Sequence, residues 1–84
     1  MYYTYVLYSK KDGKFYTGFT QNLKLRFDQH NKGQVESTKD RRPFELIYYE
    51  ACLNRLDATH REKHLKTYHG KAYIKKRLKF HLTG

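Results

Sequence analysis

The sequence predicts a mixed α/β fold of the α+β type, in which a three-stranded antiparallel sheet carries flanking helices in the order β-β-α-β-α-α. Three observations support this prediction. Two segments rich in tyrosine and β-branched residues flank an Asp12-Gly13 turn, a pattern typical of a β-hairpin. Two asparagines, Asn22 and Asn54, precede helical segments and can cap them. A third strand-like segment follows Pro43, and proline is tolerated at the start of a strand.

The N-terminal half of the chain is predicted to form the hairpin and one helix. Residues 2–9 form the first strand and residues 15–20 form the second. The first helix runs from its cap at Asn22 to about Lys32. Gly33 ends it, because glycine readily adopts the left-handed conformation that often follows a helix.

The C-terminal half is predicted to form one strand and two helices. A polar, basic loop over residues 34–42 leads into a strand at residues 44–51. The next helix covers residues 55–68, and we expect the dipeptide His69-Gly70 to break it. Residues 71–82 then form a last, basic helix. No repeat or linker interrupts this order, which favours helices packed on one sheet.

Composition predicts one small domain spanning residues 1–84. The formal net charge of +10 indicates a polyanionic partner such as nucleic acid. The one cysteine, Cys52, cannot form an internal disulfide, so we expect a reducing, cytoplasmic location. The first residues lack the basic start and apolar run of a signal peptide. No segment approaches the roughly 20 apolar residues of a membrane helix, so we expect no membrane partner.

The hairpin register decides which side chains share a face of the sheet. A four-residue loop at residues 10–13 places Tyr16 opposite Leu7 and Gly18 opposite Tyr5. Tyr5 and Tyr16 then point to the same face as diagonal neighbours. We expect Gly18 to leave space there for a phosphate or a metal ion. A two-residue turn would also put Tyr5 and Tyr16 on the same face of the sheet. The alternative interpretation is that both tyrosines are ordinary aromatic residues of a strand.

The first helix carries an unusual pair of polar residues on its apolar side. Leu23, Arg26, Phe27 and His30 fall on one helical stripe, which must face the sheet because it holds the main apolar residues. A buried charge is costly unless it is paired, and a phosphate would pair with Arg26 through two parallel hydrogen bonds. The alternative is an arginine that extends to water from the edge of the stripe and a histidine bonded to a backbone carbonyl.

Glu62 lies within a segment that also contains two histidines four residues apart. His60 and His64 have the spacing of a helical zinc pair, but Glu62 projects from the opposite side of the helix. It borders a stripe formed by Ala58 and Leu65 and therefore faces the core side. Its carboxylate is a suitable hard ligand for Mg²⁺ or Mn²⁺. The alternative is a surface glutamate paired with nearby basic residues.

Basic residues concentrate in the polar loop and in the last helix. Such a surface can follow the phosphates of a nucleic acid, and a solvated basic face is the alternative interpretation. The predicted nucleic-acid contacts are Lys39, Arg41, Arg42, Lys71, Lys75, Lys76 and Lys79.

Four motifs, taken in order, resemble the GIY-YIG endonuclease family, in particular its small stand-alone members. Tyr3-Thr4-Tyr5 keeps the final tyrosine of the first motif, and Tyr16-Thr17-Gly18 keeps the tyrosine and the glycine of the second. Residues 22–31 resemble the arginine helix of the family, and Arg61-Glu62-Lys63 resembles its glutamate motif. The resemblance covers nearly the whole chain.

The resemblance implies a metal-dependent endonuclease that hydrolyses phosphodiester bonds in DNA and takes part in DNA repair or processing, with RNA as an open alternative substrate. In that family a glutamate holds one divalent ion, an arginine steadies the phosphate and a tyrosine helps to activate water. The residues in those places are Tyr5, Tyr16, Arg26, His30 and Glu62, with Glu62 as the ligand of Mg²⁺ or Mn²⁺. The resemblance leaves open whether Tyr5, Tyr16 or His30 receives the proton.

Two other functional classes fit the same composition. A catalytically silent nucleic-acid-binding module would share the charge and the fold but would show no metal dependence. A structural or adaptor protein would show little affinity for nucleic acid at physiological salt.

Overall fold

A computed structural model describes residues 1–83, and it confirms the predicted class: a three-stranded antiparallel sheet with helices on both faces. The order of strands in the sheet is β2-β1-β3, so the first strand is central. One turn of 3-10 helix interrupts the loop that precedes the third strand. The elements are β1 (Tyr2–Ser9), β2 (Phe15–Thr20), α1 (Leu23–Asn31), the 3-10 turn (Lys39–Arg41), β3 (Phe44–Cys52), α2 (Arg55–Leu65), α3 (Tyr68–Arg77) and α4 (Lys79–Thr83).

The sheet separates two small hydrophobic clusters. On one face, Tyr5 and Leu7 of β1 pack with Phe44 and with apolar residues of α1. On the other face, Val6 packs with Leu65 of α2 and Ile74 of α3. Side chains alternate along a strand, so neighbouring residues of β1 serve opposite faces. The central strand is therefore buried from both sides, and it can hold a polar group away from water.

The hairpin has the register that the four-residue loop predicts. Tyr16 pairs with Leu7, and Gly18 pairs with Tyr5. The Ser9 amide donates a hydrogen bond of 3.0 Å to the Lys14 carbonyl and closes the loop. The predicted placement of Tyr5 and Gly18 opposite each other is thus confirmed.

The break between the second and third helices was predicted at the wrong place. Helix α2 ends at Leu65, and Thr67 caps α3 by accepting a hydrogen bond of 3.1 Å from the Gly70 amide. Gly70 lies within the first turn of α3 and is buried. A Cβ atom there would collide with the backbone of His64 and Leu65. This glycine is therefore a point of close contact between two helices and does not end one.

The predicted last helix is divided in two. Leu78 has φ −110° and ψ 28°, which ends α3, and the short helix α4 follows. Ile74 is the buried apolar residue of α3. No helix formed by residues 1–83 is both long enough and apolar enough to cross a membrane.

Candidate active site

The centre of the candidate site is a buried hydrogen bond between β1 and α1. The Tyr5 hydroxyl lies 2.8 Å from Nε2 of His30. Tyr5 is 1% exposed and His30 is 0% exposed. The His30 ring also contacts the ring of Tyr16 edge-to-face, with 5.1 Å between centroids. The last turn of α1 thus places an imidazole between the two tyrosines that the hairpin register brings to one face.

Burial shifts the ionisation of this pair in opposite directions. Burial, with a contribution from the nearby Arg26 charge, lowers the pKa of His30 to about 4. Burial also raises the pKa of Tyr5 to about 12, against an opposing contribution from Arg26. Water stabilises a charged form better than a protein interior does, so both groups are neutral at pH 7. A neutral imidazole beside a neutral phenol can accept the phenol's proton.

The depressed pKa of His30 predicts a loss of stability in mild acid. The unfolded state binds a proton at a pKa near 6.5, whereas the folded state does so only near 4. The contribution of His30 to the free energy of unfolding is therefore fully present above about pH 6.5. It decreases as the pH falls towards 4. We expect a decrease of about 2 kcal/mol between pH 7.5 and pH 5, measured by urea unfolding. In His30→Gln this decrease should disappear, and an equal decrease in both proteins would contradict the assignment.

Gly18 does not leave the open space that the sequence suggests. A Cβ atom at this position would lie 2.6 Å from the Tyr5 hydroxyl oxygen and 2.8 Å from the ring carbon that carries it. The phenol of Tyr5 therefore lies across the glycine and occupies the space predicted for a phosphate or a metal ion. A glycine is needed opposite Tyr5 because a larger residue would push the hydroxyl away from His30.

Arg26 lies on the predicted stripe of α1 beside Tyr5. The side chains of Leu23, Arg26 and Phe27 are half-buried, and that of His30 is fully buried. The guanidinium of Arg26 donates one hydrogen bond, of 3.3 Å, to Oε1 of Gln29, and it lies close enough to Tyr5 to lower the pKa of the phenol. Its accessible side can therefore offer donors to an anion.

Glu62 approaches Tyr5 from the other face of the sheet. Helix α2 contacts both β1 and the edge strand β2. The Glu62 charge is close enough to contribute to the raised pKa of Tyr5. The Glu62 side chain is 19% exposed, and its carboxylate lies 3.2 Å from Nζ of Lys66. His60 and His64 are exposed, as predicted from their side of the helix.

The described residues offer a divalent ion few protein ligands near Glu62. Residues 1–83 contain no group of three or more histidine, cysteine, aspartate or glutamate side chains arranged to hold a metal. Mg²⁺ commonly uses one or two carboxylates, keeps several waters and binds substrate phosphate oxygens. Glu62, whose charge acts on Tyr5, could hold an ion in that mode, with substrate phosphate oxygens and waters as the other ligands.

The predicted basic contacts separate into groups. Arg41, Lys71 and Lys75 line one cleft of about 440 Å³ together with Lys14, between the hairpin and α3. Lys79 lines an adjacent depression that also includes Lys75.

The other predicted contacts lie outside this cleft. Lys76 lies beside Tyr73 and Arg77. In the 3-10 turn, Nζ of Lys39 pairs with Glu36 at 3.2 Å, and Nε of Arg42 donates to the Lys39 carbonyl. One cleft residue is also engaged within the protein, because Nε of Arg41 lies 2.6 Å from Oδ2 of Asp12 and lowers the pKa of that carboxyl well below its usual range.

The sequence interpretation missed two residues of these sites. Lys14 lines the cleft, and its place in a turn between two strands gave no indication of a ligand. Thr38 is fully buried, and its Oγ1 lies 2.8 Å from Nδ1 of His30. A threonine in a polar loop carries no periodic signal, so only the folded path of the chain shows this contact.

Comparisons with known proteins point to one family. The family model described as the GIY-YIG catalytic domain matches residues 1–77. UPF0213 proteins from the Staphylococcus aureus strains Mu3 and N315 are each 41% identical to this chain over 58 residues, which cover 68% of this chain and 71% of the relative. The solution structure of a UPF0213 protein from Bacillus halodurans is similar, with a TM-score of 0.55 and 31% identity, covering 88% of this chain and 82% of that chain.

Proposed function

Because this chain belongs to the GIY-YIG catalytic domain family, which is a nuclease family, we propose that it is a divalent-metal-dependent endonuclease that hydrolyses phosphodiester bonds in DNA. One observation carries the proposal: the buried Tyr5 hydroxyl is held 2.8 Å from a neutral imidazole and beside the Arg26 guanidinium. This arrangement combines an acceptor for a proton with a cation for a phosphate.

The proton acceptor consists of Tyr5 and His30 acting together. A phenol with a pKa of about 12 is protonated at pH 7, so Tyr5 can take a proton from water only if its own proton leaves. Nε2 of His30 is 2.8 Å away and can receive it. In the proposed step the water oxygen attacks phosphorus, its proton passes to the Tyr5 oxygen and the Tyr5 proton passes to His30. The bond between phosphorus and the leaving oxygen breaks, that oxygen takes a proton from solvent water, and the proton on His30 is returned to solvent.

Arg26 supports the phosphate in this scheme. Its guanidinium presents several donors in a fixed plane. Donors placed where negative charge increases stabilise the transition state more than the ground state. Tyr16 packs against His30 on the other side and helps to orient the ring.

Glu62 is the proposed ligand of Mg²⁺ or Mn²⁺. When bound, such an ion would supply positive charge against the negative charge that develops on the phosphate. Glu62 would have to leave its ion pair with Lys66, which is partly exposed and therefore contributes little stability.

The cleft lined by Lys14, Arg41, Lys71 and Lys75 is the proposed contact for the nucleic-acid backbone. A net charge of +10 favours association with a nucleic acid whatever its nucleotide sequence. A role in DNA repair or processing in the cytoplasm belongs to the same proposal. The cytoplasmic location in this proposal agrees with a single free cysteine among the described residues.

Binding should depend steeply on salt. If about six phosphates are neutralised on a duplex, the logarithm of the affinity should fall against the logarithm of the salt concentration with a slope near −5. Replacing Lys71 and Lys75 together with alanine should reduce that slope by about 2, because each removes one phosphate contact. Fluorescence anisotropy on one labelled duplex measures both slopes.

The matched control replaces Lys76 and Arg77 with alanine. This change removes the same charge from the same helix, at positions outside the cleft. A smaller change in this control supports the cleft, and equal changes in both variants would show that only the total charge matters. Absence of binding at low salt would count against any role with nucleic acid.

The function itself is tested by a nuclease screen over duplex, nicked, branched and single-stranded DNA and the matching RNAs, with Mg²⁺, Mn²⁺ or a chelator. The Glu62–Lys66 ion pair favours one second candidate, a nucleic-acid-binding module without activity, because it engages the carboxylate that would hold the ion. Metal-dependent cleavage supports the endonuclease. Salt-sensitive binding without cleavage of any substrate would support the second candidate.

A further inference from the structure

Thr38 forms a third member of the buried hydrogen-bonded chain that begins at Tyr5. Its side chain is fully buried in the loop between α1 and β3, and its Oγ1 lies 2.8 Å from Nδ1 of His30. The loop fixes its position, because the Thr38 amide donates to the Val35 carbonyl at 3.1 Å. Both ring nitrogens of His30 thus have one defined partner each, with Tyr5 on Nε2 and Thr38 on Nδ1.

The neighbours of Tyr5 determine the direction of these hydrogen bonds. A guanidinium can only donate, so the nearby Arg26 provides no acceptor for the Tyr5 proton. Within residues 1–83, the acceptor within hydrogen-bond distance of that hydroxyl is Nε2 of His30. A neutral imidazole carries one proton, which must then be on Nδ1 and point to Oγ1 of Thr38. The Thr38 hydroxyl has its own acceptor in the Val35 carbonyl, at 3.4 Å.

We propose that Thr38 is a positioning residue that holds His30 in the tautomer protonated on Nδ1, so that the lone pair of Nε2 faces Tyr5. In the opposite tautomer the Nε2–H group would point at the Tyr5 oxygen, and the Tyr5 proton would have no acceptor in the part of the chain that the structure describes. Partners of this kind commonly fix both the tautomer and the orientation of a functional histidine.

The consequence for cleavage rests on the proposed function, whereas the tautomer does not. The proton position can be read from the nitrogen chemical shifts of the His30 ring in a ¹⁵N-labelled protein without any substrate. The experiment compares the wild-type protein with Thr38→Val, which keeps a branched side chain without the hydroxyl, and with Thr38→Ser, which restores the hydroxyl. Thr83→Val is the control, since the exposed Thr83 hydroxyl bonds to the Lys79 carbonyl within α4.

In the wild type and in Thr38→Ser we expect Nδ1 to be protonated and Nε2 to be free. In Thr38→Val we expect the proton to move to Nε2 in a substantial fraction of molecules. Where cleavage is measured, kcat should fall about 10- to 100-fold in Thr38→Val with KM unchanged, and Thr38→Ser should recover most of the rate.

A wild-type spectrum with the proton on Nε2 would overturn the proposal, and this measurement needs no variant to fold. A Thr38→Val protein with an unchanged tautomer and an unchanged rate would overturn it as well. If no substrate is cleaved by any of these proteins, the proposed function fails, but the ring nitrogen shifts still decide the tautomer.

Discussion

Replacing Glu62 with glutamine is expected to abolish metal-dependent cleavage while leaving nucleic-acid binding intact. Glutamine keeps the shape of the side chain but removes the charge that would hold a divalent ion. Loss of a group that offsets transition-state charge typically lowers a rate by about 10²- to 10³-fold, and loss of a metal ligand should reach at least that range. The variant should also fold, since it gives up only an ion pair with Lys66 that is partly exposed.

The control for this experiment is Glu36→Gln, which changes the net charge by the same amount at a loop position with an 88% exposed side chain. Cleavage rates, anisotropy binding and urea unfolding are measured on both variants. Equal cleavage by Glu62→Gln and the wild type would contradict the assignment of the metal ligand, even though the enzyme class would stand. Loss of cleavage in both variants would indicate a nonspecific effect of charge.

Replacing Gly18 with alanine is expected to damage both the fold and the chemistry through one contact. The added methyl group would lie 2.6 Å from the Tyr5 oxygen, so the buried phenol must move and give up its 2.8 Å hydrogen bond to His30. Overpacking of this kind costs about 1–3 kcal/mol of stability. A displacement of about 1 Å in a catalytic group can lower the rate about 100-fold.

A double-mutant cycle isolates that contact. In Tyr5→Ala the space opposite residue 18 is open, so adding Gly18→Ala should cost much less stability than it costs in the wild type. Urea unfolding of the four proteins gives the coupling energy. An equal loss of stability in the two backgrounds would mean that Tyr5 does not press against Gly18. A Gly18→Ala protein that cleaves at the wild-type rate would show that the contact with Gly18 does not affect the chemistry.

The regular spacing of side chains along strands and helices explains why the relative positions of several site residues could be predicted from the sequence. Side chains alternate along a strand, so the register of one hairpin was sufficient to place Tyr5, Tyr16 and Gly18 relative to each other. Helical periodicity likewise placed Arg26 and His30 against the sheet. These rules are local, and they hold because each element buries one side.

The contacts that the sequence did not reveal depend on how distant segments meet. Gly70 was interpreted as a helix breaker because its low helix propensity is visible in the sequence, whereas its close contact with α2 is not. The space at Gly18 is filled because the opposing phenol is long enough to lie across the glycine, and strand pairing alone does not show this. Thr38 meets His30 only after the loop folds back, and the cleft gathers Lys14 with α3 only after the hairpin docks on that helix.

The role proposed for the Tyr5 hydroxyl in phosphodiester hydrolysis is tested by comparing the wild type with Tyr5→Phe on the substrate that the screen identifies. Phenylalanine keeps the ring in the core and deletes one oxygen, so folding and DNA binding should be retained. We expect metal-dependent cleavage by the wild type and a rate at least about 100-fold lower for Tyr5→Phe. Equal rates for the two proteins would contradict the account, and so would a wild-type protein that binds DNA tightly and cleaves nothing with Mg²⁺ or Mn²⁺.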